Sequence, residues 1–326
     1  MASQPAQSRA LIVTPTGQVP AELREAVKRA GEFARAGQAG STRRAYTSDF
    51  AIFKAWCAGR GAAALPARPE VVAGFLSDEA HRGVKASTIG RRIAAIRYAH
   101  RLAGYPTPTA DDRVKITLAG IRRAIGTAPV KKSAATADKL LAMVAVPDRT
   151  IVALRDRAIL LVGFAGAFRR SELVALDVAD IEEVTEGLRI TIRSSKTDQE
   201  GAGVVIAVPR GTLACPVLAL KAWLDAAGIL AGPLFRPINK SGKVGTGRLT
   251  AQSVALIVKT HAKRVDLDPK LFSGHSLRSG FITSAARRGA SLFKMMDVSR
   301  HRSVDTLRGY VRDAELFRDH AGAGLL

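Results

Sequence analysis

The feature that most constrains how this chain folds is a break in its helical periodicity at residues 126–135. The segment is Gly-Thr-Ala-Pro-Val-Lys-Lys-Ser-Ala-Ala, and its glycine and proline favour a turn or loop over continued helix. The chain has 326 residues, which is more than one hydrophobic core usually organises. We therefore expect two domains joined by a linker at residues 127–135.

Before the break, apolar residues recur with the spacing of helices. We expect the first helix to begin at Ser41, a favourable N-cap residue, the second at Pro69 and the third near Ser87, with a fourth that ends at the break. Residues 37–126 are thus predicted to form a helical domain, and residues 1–36 a flexible tail with a possible short helix. The stripe of the first helix consists of Tyr46, Phe50, Phe53 and Cys57.

After the break, the sequence pattern is mixed. Residues 188–193 and 203–208 are rich in β-branched residues and flank a glycine-containing segment, which is typical of a β-hairpin. The predicted fold class is mainly α with a small antiparallel β-sheet, and residues 136–326 form a mixed α/β domain. Its helices are expected near residue 136 and at about 150–168, 217–227, 250–265, 276–289 and 303–317.

The charge of the chain indicates its class of partner. The sequence has 50 basic and 28 acidic residues and a formal net charge of +22, which attracts nucleic acid or an anionic membrane surface. Both halves of the chain are basic, as expected if both contact one long polyanion. We predict phosphate contacts from basic residues of the helical domain and the linker. These candidates are Arg43, Arg44, Arg91, Arg92, Arg122, Arg123, Lys131 and Lys132.

The cysteines, the N-terminus and the apolar runs argue against a disulfide-rich, secreted or membrane-spanning protein. Cys57 and Cys215 lie far apart without zinc spacing, which disfavours a disulfide framework or a cysteine-rich metal site. The N-terminus lacks the pattern of a signal peptide. The most apolar run, residues 158–165, is shorter than the about 20 residues that span a bilayer. We expect a cytoplasmic, nucleoid-associated protein that makes no membrane contact.

The C-terminal part of the chain suits cleavage of a DNA phosphodiester without a metal. Such a reaction needs fixed cations at the phosphate oxygens, and arginine supplies them because it stays charged and can bind two oxygens at once. The candidates for this role are Arg169 and Arg278. Tyr310 lies in a strongly basic setting and is the candidate nucleophile. A tyrosine, with a pKa of about 10, needs a nearby base or cation to react at neutral pH.

Three further side chains complete the candidate set. Lys196 lies at the start of the hairpin turn and could protonate the leaving 5′ oxygen as a general acid. His275 and Arg278 are expected to share one face at a helix start. His275 and His301 could bond the phosphate or assist proton transfer. The sequence contains no HExxH motif and no GxxxxGK[ST] loop, so we expect no metal and no cofactor.

The order of these residues resembles that of the tyrosine recombinase (phage integrase) family, in the simple two-domain form similar to Xer and Cre recombinases. Residues 169–173, Arg-Arg-Ser-Glu-Leu, look like the family's first arginine box. Residues 275–278, His-Ser-Leu-Arg, look like the second box, and the spacing from His301 to Tyr310 is similar to the third. The resemblance implies that the helical domain is a core-binding domain and that the mixed domain is catalytic.

The resemblance also implies a mechanism and an assembly for site-specific DNA recombination. Tyr310 would form a 3′-phosphotyrosyl link and free a 5′ hydroxyl, so that neither ATP nor a metal is needed. A dimer would bind each double-stranded recombination site, a tetramer would hold two sites in the synapse, and residues 314–317 would dock on a neighbouring protomer. Two alternatives stay open: a type IB topoisomerase, which uses similar chemistry to relax supercoils, and a catalytically inactive relative that only binds DNA.

Two boxes depart from the usual family sequence. Leu-Gly usually precedes the histidine of the third box, whereas this chain has Ser299 and Arg300. Loss of the glycine alters the local backbone freedom. The first box has Ala167 and Phe168 where Gly-Leu is commoner. With only about 35 residues ahead of the core-binding region, a separate arm-binding domain is not expected.

Overall fold

The structure is a computed structural model that describes residues 39–128, 132–145, 148–193 and 203–314, together with some isolated positions outside these ranges. The chain divides into two units, Met1–Pro129 and Val130–Leu326. This division falls inside the segment that the sequence marks as a linker. In the part of the chain that is described, no helix is both long enough and apolar enough to cross a membrane.

The described part of the N-terminal unit consists of helices, as its apolar stripes predict. Phe53 and Cys57 of the first stripe are fully buried. Phe53 meets Phe75 edge to face with ring centroids 5.0 Å apart, and burying one such side chain contributes about 1.5–3 kcal/mol. The helices are α1 (Gly40–Ala58), α2 (Pro69–His81), α3 (Ala86–Leu102) and α4 (Asp112–Ile125).

Local capping chemistry explains the starts of α2 and α4. Pro69 lies in the first turn of α2, where its missing N–H would have had no helical partner. The Asp111 carboxylate caps α4 by accepting a hydrogen bond from the backbone N–H of Arg113 at 2.9 Å. The expected cap at Ser41 is wrong. Helix α1 starts one residue earlier, at Gly40, so Ser41 lies inside the first turn.

The C-terminal unit is built around α6, whose residues 158–162 are all buried. A helix that is apolar on every side can be buried on every side, and α6 packs chiefly against α8. Trp223 of α8 is fully buried and donates its indole N–H to the Leu234 carbonyl at 2.9 Å. The helices are α5 (Ala137–Val144), α6 (Ile151–Ala165), α7 (Arg170–Ala175), α8 (Pro216–Ala227), α9 (Ala251–Arg264), α10 (Ser276–Arg287), α11 (Leu292–Ser299) and α12 (Val304–Ala314).

The antiparallel hairpin is present, and a further strand pairs with it. The described residues form one sheet in the order β1 (Ile181–Val184), β2 (Gly187–Ile192) and β3 (Val204–Pro209). Strands β2 and β3 pair with Ile190 opposite Ile206. Strand β1 is not predictable from the sequence, because four residues with two adjacent glutamates show no alternation of apolar and polar side chains.

The helix expected over residues 150–168 stops at Ala165, and the chain then reverses. Ala167 adopts a left-handed conformation with φ 45°, and the Phe168 ring folds back over Gly166. A Cβ at Gly166 would lie 2.3 Å from that ring, so this close approach requires glycine. The reversal at 166–168 places Arg169 immediately before the first residue of α7.

The last residues of the expected linker pack on the C-terminal unit. The backbone N–H groups of Ser133 and Ala135 donate to the carbonyls of Leu271 and Ser276 at 2.8 and 2.9 Å. A Cβ at Gly280 would lie 1.9 Å from the Ala135 oxygen. Residues 132–135 are therefore held against the start of α10 instead of forming a free connection.

Candidate active site

Arg278 lies at the centre of the candidate site. Its side chain is fully buried on α10, and its Nη1 donates to the Ala167 carbonyl at 2.8 Å. Its Nη2 lies 3.3 Å from both ring nitrogens of His301. Burial, with the nearby Arg169 and Arg300, lowers the pKa of Arg278 from its ordinary value to about 9. The guanidinium therefore stays charged at neutral pH and can bind an anion strongly.

Tyr310 and His275 form a hydrogen-bonded pair beside this arginine. The Tyr310 Oη and the His275 Nε2 lie 2.8 Å apart, although 35 residues separate them in the chain. His275 precedes the first residue of α10, as the sequence predicts. Desolvation on its protein-facing side, and then the charges of Arg278 and Arg169, lower the pKa of His275. At neutral pH its imidazole is therefore uncharged and can accept the proton of a tyrosine hydroxyl.

His301 contacts Arg278 and is oriented by the residue two positions before it. The Ser299 Oγ donates to the Met295 carbonyl at 2.5 Å and lies 2.8 Å from the His301 Nδ1. Because the serine proton is used on Met295, Ser299 accepts from His301, which assigns the ring proton to Nδ1. Burial and the nearby charges, Arg278 first, lower the pKa of His301 to about 4.

Arg169 is held at the edge of the site by Glu172. The Arg169 Nη1 donates to the Glu172 Oε1 at 2.5 Å, and the Arg169 backbone N–H donates to Oε2 at 2.9 Å. Burial works to raise the pKa of Glu172, but Arg300 and Arg169 outweigh it, so the pKa lies below its ordinary value. Glu172 is therefore an anion that fixes the first arginine of the set.

Arg300 also lies in the site. In the sequence this residue stands out only as a departure from the usual family sequence. It contacts Glu172 at 2.8 Å and shares the Ala167 carbonyl with Arg278. The charge of this residue and its nearness to His301 were visible in the sequence. The direction of its side chain depends on the 166–168 reversal, which no local pattern predicts.

The described structure thus brings five of the six candidate catalytic residues together, and the sixth lies outside it. The five are Arg169, His275, Arg278, His301 and Tyr310. Lys196 and the DNA-contact candidate Lys131 lie outside the described residues.

The DNA-contact candidates of the helical unit have different surroundings. Arg91 is exposed but donates twice to Asp49, at 2.6 and 3.1 Å. Arg92 is largely buried and pairs with Glu79, which favours a structural role for this residue. Lys132, in the other unit, donates to the Lys270 carbonyl at 2.6 Å. The candidates that are exposed and have no ion pair among the described residues are Arg43, Arg44, Arg122 and Arg123.

Solved structures of DNA recombinases share this fold. A λ integrase dimer bound to a COC′ core site matches with a TM-score of 0.60 and 17% identity, over 91% of this chain and 79% of that one. XerH recombinase in a post-cleavage complex with difH substrate matches with a TM-score of 0.54 and 15% identity, over 79% of this chain and 72% of that one.

Sequence comparison assigns the family. The chain matches the phage integrase family over residues 134–316 and the phage integrase N-terminal SAM-like domain over residues 34–104. It is 39% identical to an integrase/recombinase XerD homolog of Selenomonas ruminantium, over 87% of this chain and 85% of that protein. It is 30% identical to the tyrosine recombinase XerD of Bifidobacterium longum, over 84% of this chain and 87% of that protein. The chain therefore belongs to the phage integrase family and is a tyrosine recombinase, an enzyme of site-specific DNA recombination.

Proposed function

We propose that Tyr310 is the nucleophile with which this recombinase cuts and rejoins DNA strands. The observation that carries the proposal is the 2.8 Å contact between the Tyr310 Oη and the His275 Nε2, next to the buried guanidinium of Arg278. The tyrosine oxygen attacks the scissile phosphorus and its proton passes to His275. The bond from phosphorus to the 5′ oxygen breaks, which leaves a 3′-phosphotyrosyl link and a free 5′ hydroxyl. Attack by a 5′ hydroxyl of the partner strand reverses these steps.

The arginines stabilise the charge that builds on the phosphate oxygens. Arg169 and Arg278 supply fixed, charged donors at a site where reorganisation is small. His301, with its proton on Nδ1, presents Nε2 to Arg278 as an acceptor, so we assign it the role of orienting that guanidinium. Lys196 protonates the leaving 5′ oxygen, a role inferred from its sequence position alone.

The partner is a double-stranded recombination site inside the cell. We propose that two protomers bind each site and that four form the synapse. The solved λ integrase structures, a dimer on a core site and a tetramer on a Holliday junction, support this assembly. Exposed arginines of the helical unit contact DNA phosphates without reading bases. Arg43 and Arg44, which are adjacent on α1, are two of these arginines.

Covalent trapping tests the proposal. The protein is incubated with nicked duplexes made from the DNA that flanks its gene, so that the short fragment bearing the 5′ hydroxyl diffuses away after cleavage. We expect a protein–DNA adduct that survives denaturation with wild type and is absent with Tyr310→Phe. An adduct of unchanged yield with Tyr310→Phe would reject the assignment of the nucleophile.

Two controls separate the alternatives. A catalytically inactive DNA-binding relative would shift the duplex in a gel without forming an adduct. A topoisomerase would relax supercoiled DNA that carries no pair of target sites, whereas a recombinase should exchange strands only between two sites.

A further inference from the structure

Arg300 occupies a backbone position that suits glycine. It ends α11 with φ 57° and ψ 39°, a left-handed conformation that is strained for a residue with a side chain. The Arg300 side chain is nevertheless only 6% exposed and reaches Glu172. Glycine would end the helix with less strain, so the reason for an arginine lies in its side-chain contacts.

The first set of contacts ties Arg300 to the 166–168 reversal. Its Nη1 donates to the Gly166 carbonyl and its Nη2 to the Ala167 carbonyl, both at 3.1 Å. The Ala167 oxygen also accepts from the Arg278 Nη1 at 2.8 Å. A carbonyl held by two guanidinium groups fixes their separation, so Arg300 sets the position of Arg278.

The second contact ties Arg300 to Arg169 through a shared carboxylate. The Glu172 Oε2 accepts from the Arg300 Nη2 at 2.8 Å, while Oε1 accepts from Arg169. Glu172 is almost fully buried, so both ion pairs lie in a poorly solvated environment. With Arg300 present, Arg169 neutralises only part of the Glu172 charge and retains more attraction for a phosphate.

These contacts are made at a local cost. The Arg300 Nε is buried and has no hydrogen-bond partner among the described residues, and burial lowers the pKa of its guanidinium although Glu172 opposes this. Backbone strain and unpaired polar groups persist mainly where a site depends on them.

We propose that Arg300 is a positioning residue for DNA cleavage. Through the Ala167 carbonyl and Glu172 it holds Arg278 and Arg169 at the spacing that binds the scissile phosphate. This inference rests on the function proposed above for those two arginines. Arg300 acts through them and does not itself contact the phosphate.

The test compares two glycine substitutions that relieve the same backbone strain. Asp266 has the same φ of 57° but is exposed in the loop after α9. Asp266→Gly should fold at least as stably as wild type, because it removes a strained side chain. Arg300→Gly relieves the same strain but leaves the buried Glu172 without one of its ion-pair partners, so it should be less stable than wild type, and the cleavage rates are compared at a temperature at which both variants are folded. In single-turnover cleavage of the nicked duplex, Arg300→Gly should be slower by about tenfold or more, whereas Asp266→Gly should keep the wild-type rate. DNA affinity should be unchanged in both variants.

A second readout separates positioning from simple support of the fold. A substrate with methylphosphonate at the scissile position carries no negative charge there, so its cleavage depends less on the positive charges of the arginines. The Arg300→Gly defect should shrink on this substrate, and Arg300→Lys should recover part of the rate on ordinary DNA because it restores one charge.

Each result bears on the proposal. A wild-type rate for Arg300→Gly overturns the role of Arg300, and so does a defect of equal size on both substrates. Absence of cleavage by the wild-type protein would instead overturn the proposed function on which this role depends.

Discussion

Replacing Arg278 by methionine should stabilise the C-terminal unit while it abolishes cleavage. Arg278 is fully buried, and its pKa is lowered from the ordinary value of an arginine to about 9. Since one pKa unit equals about 1.36 kcal/mol, holding this charge in the folded protein costs on the order of 5 kcal/mol. The folded-state pKa of this base lies below the unfolded value, so the full cost applies at any pH below about 9.

Two losses offset part of this gain. Methionine cannot donate to the Ala167 carbonyl, a bond worth about 1 kcal/mol, although that oxygen keeps its bond from Arg300. Imperfect packing of the shorter side chain costs about 1.5 kcal/mol more. The expected net change is an increase of about 2 kcal/mol in the free energy of unfolding, or a rise in Tm of about 4–8 °C.

Urea unfolding followed by tryptophan fluorescence measures this change. The sequence has two tryptophans, so a Trp56→Phe background leaves Trp223 as the reporter of the C-terminal unit. Arg155→Met is the matched control, because Arg155 is also buried but pairs with Asp156 at 2.8 Å. Removing one partner of a buried pair should lower the free energy of unfolding by about 3 kcal/mol. If Arg278→Met is destabilised as Arg155→Met is, the reasoning that the buried charge of Arg278 costs stability is refuted.

Three further expectations concern the fold, the general base and DNA contact. Gly280→Ala should destabilise the C-terminal unit by about 2 kcal/mol in urea unfolding, because its Cβ would meet the Ala135 oxygen; unchanged stability would contradict this close approach. Because the pKa of His275 is lowered, the single-turnover cleavage rate of wild type should fall with acidification only below the ordinary histidine value of about 6.5. A midpoint above that value, or pH profiles of wild type and His275→Gln that both lack a midpoint, would count against His275 as the general base. Arg43→Gln with Arg44→Gln should weaken DNA binding and reduce the salt slope of log K by about 1.8, and an unchanged slope would remove these residues from the interface.

Much of the fold follows from local sequence, since the helical stripes, the hairpin and the two-unit organisation are visible in residue spacing. Strand β1 and helices α7 and α11 were not predicted, because segments of four, six and eight residues carry little periodicity. The residue types of the site and their order along the chain were predictable from the sequence. The structure adds their arrangement in space, in particular the pairing of His275 with Tyr310. The role of Arg300 was not predictable, because its side chain is directed by a chain reversal more than a hundred residues away.

The most direct test of the central claim is to identify the residue that carries the DNA. The trapped adduct is digested with protease and nuclease, and the modified peptide is sequenced by mass spectrometry. The proposed mechanism requires a nucleotide joined through its 3′ phosphate to Tyr310. A 5′-linked nucleotide, or attachment to another residue, would contradict it.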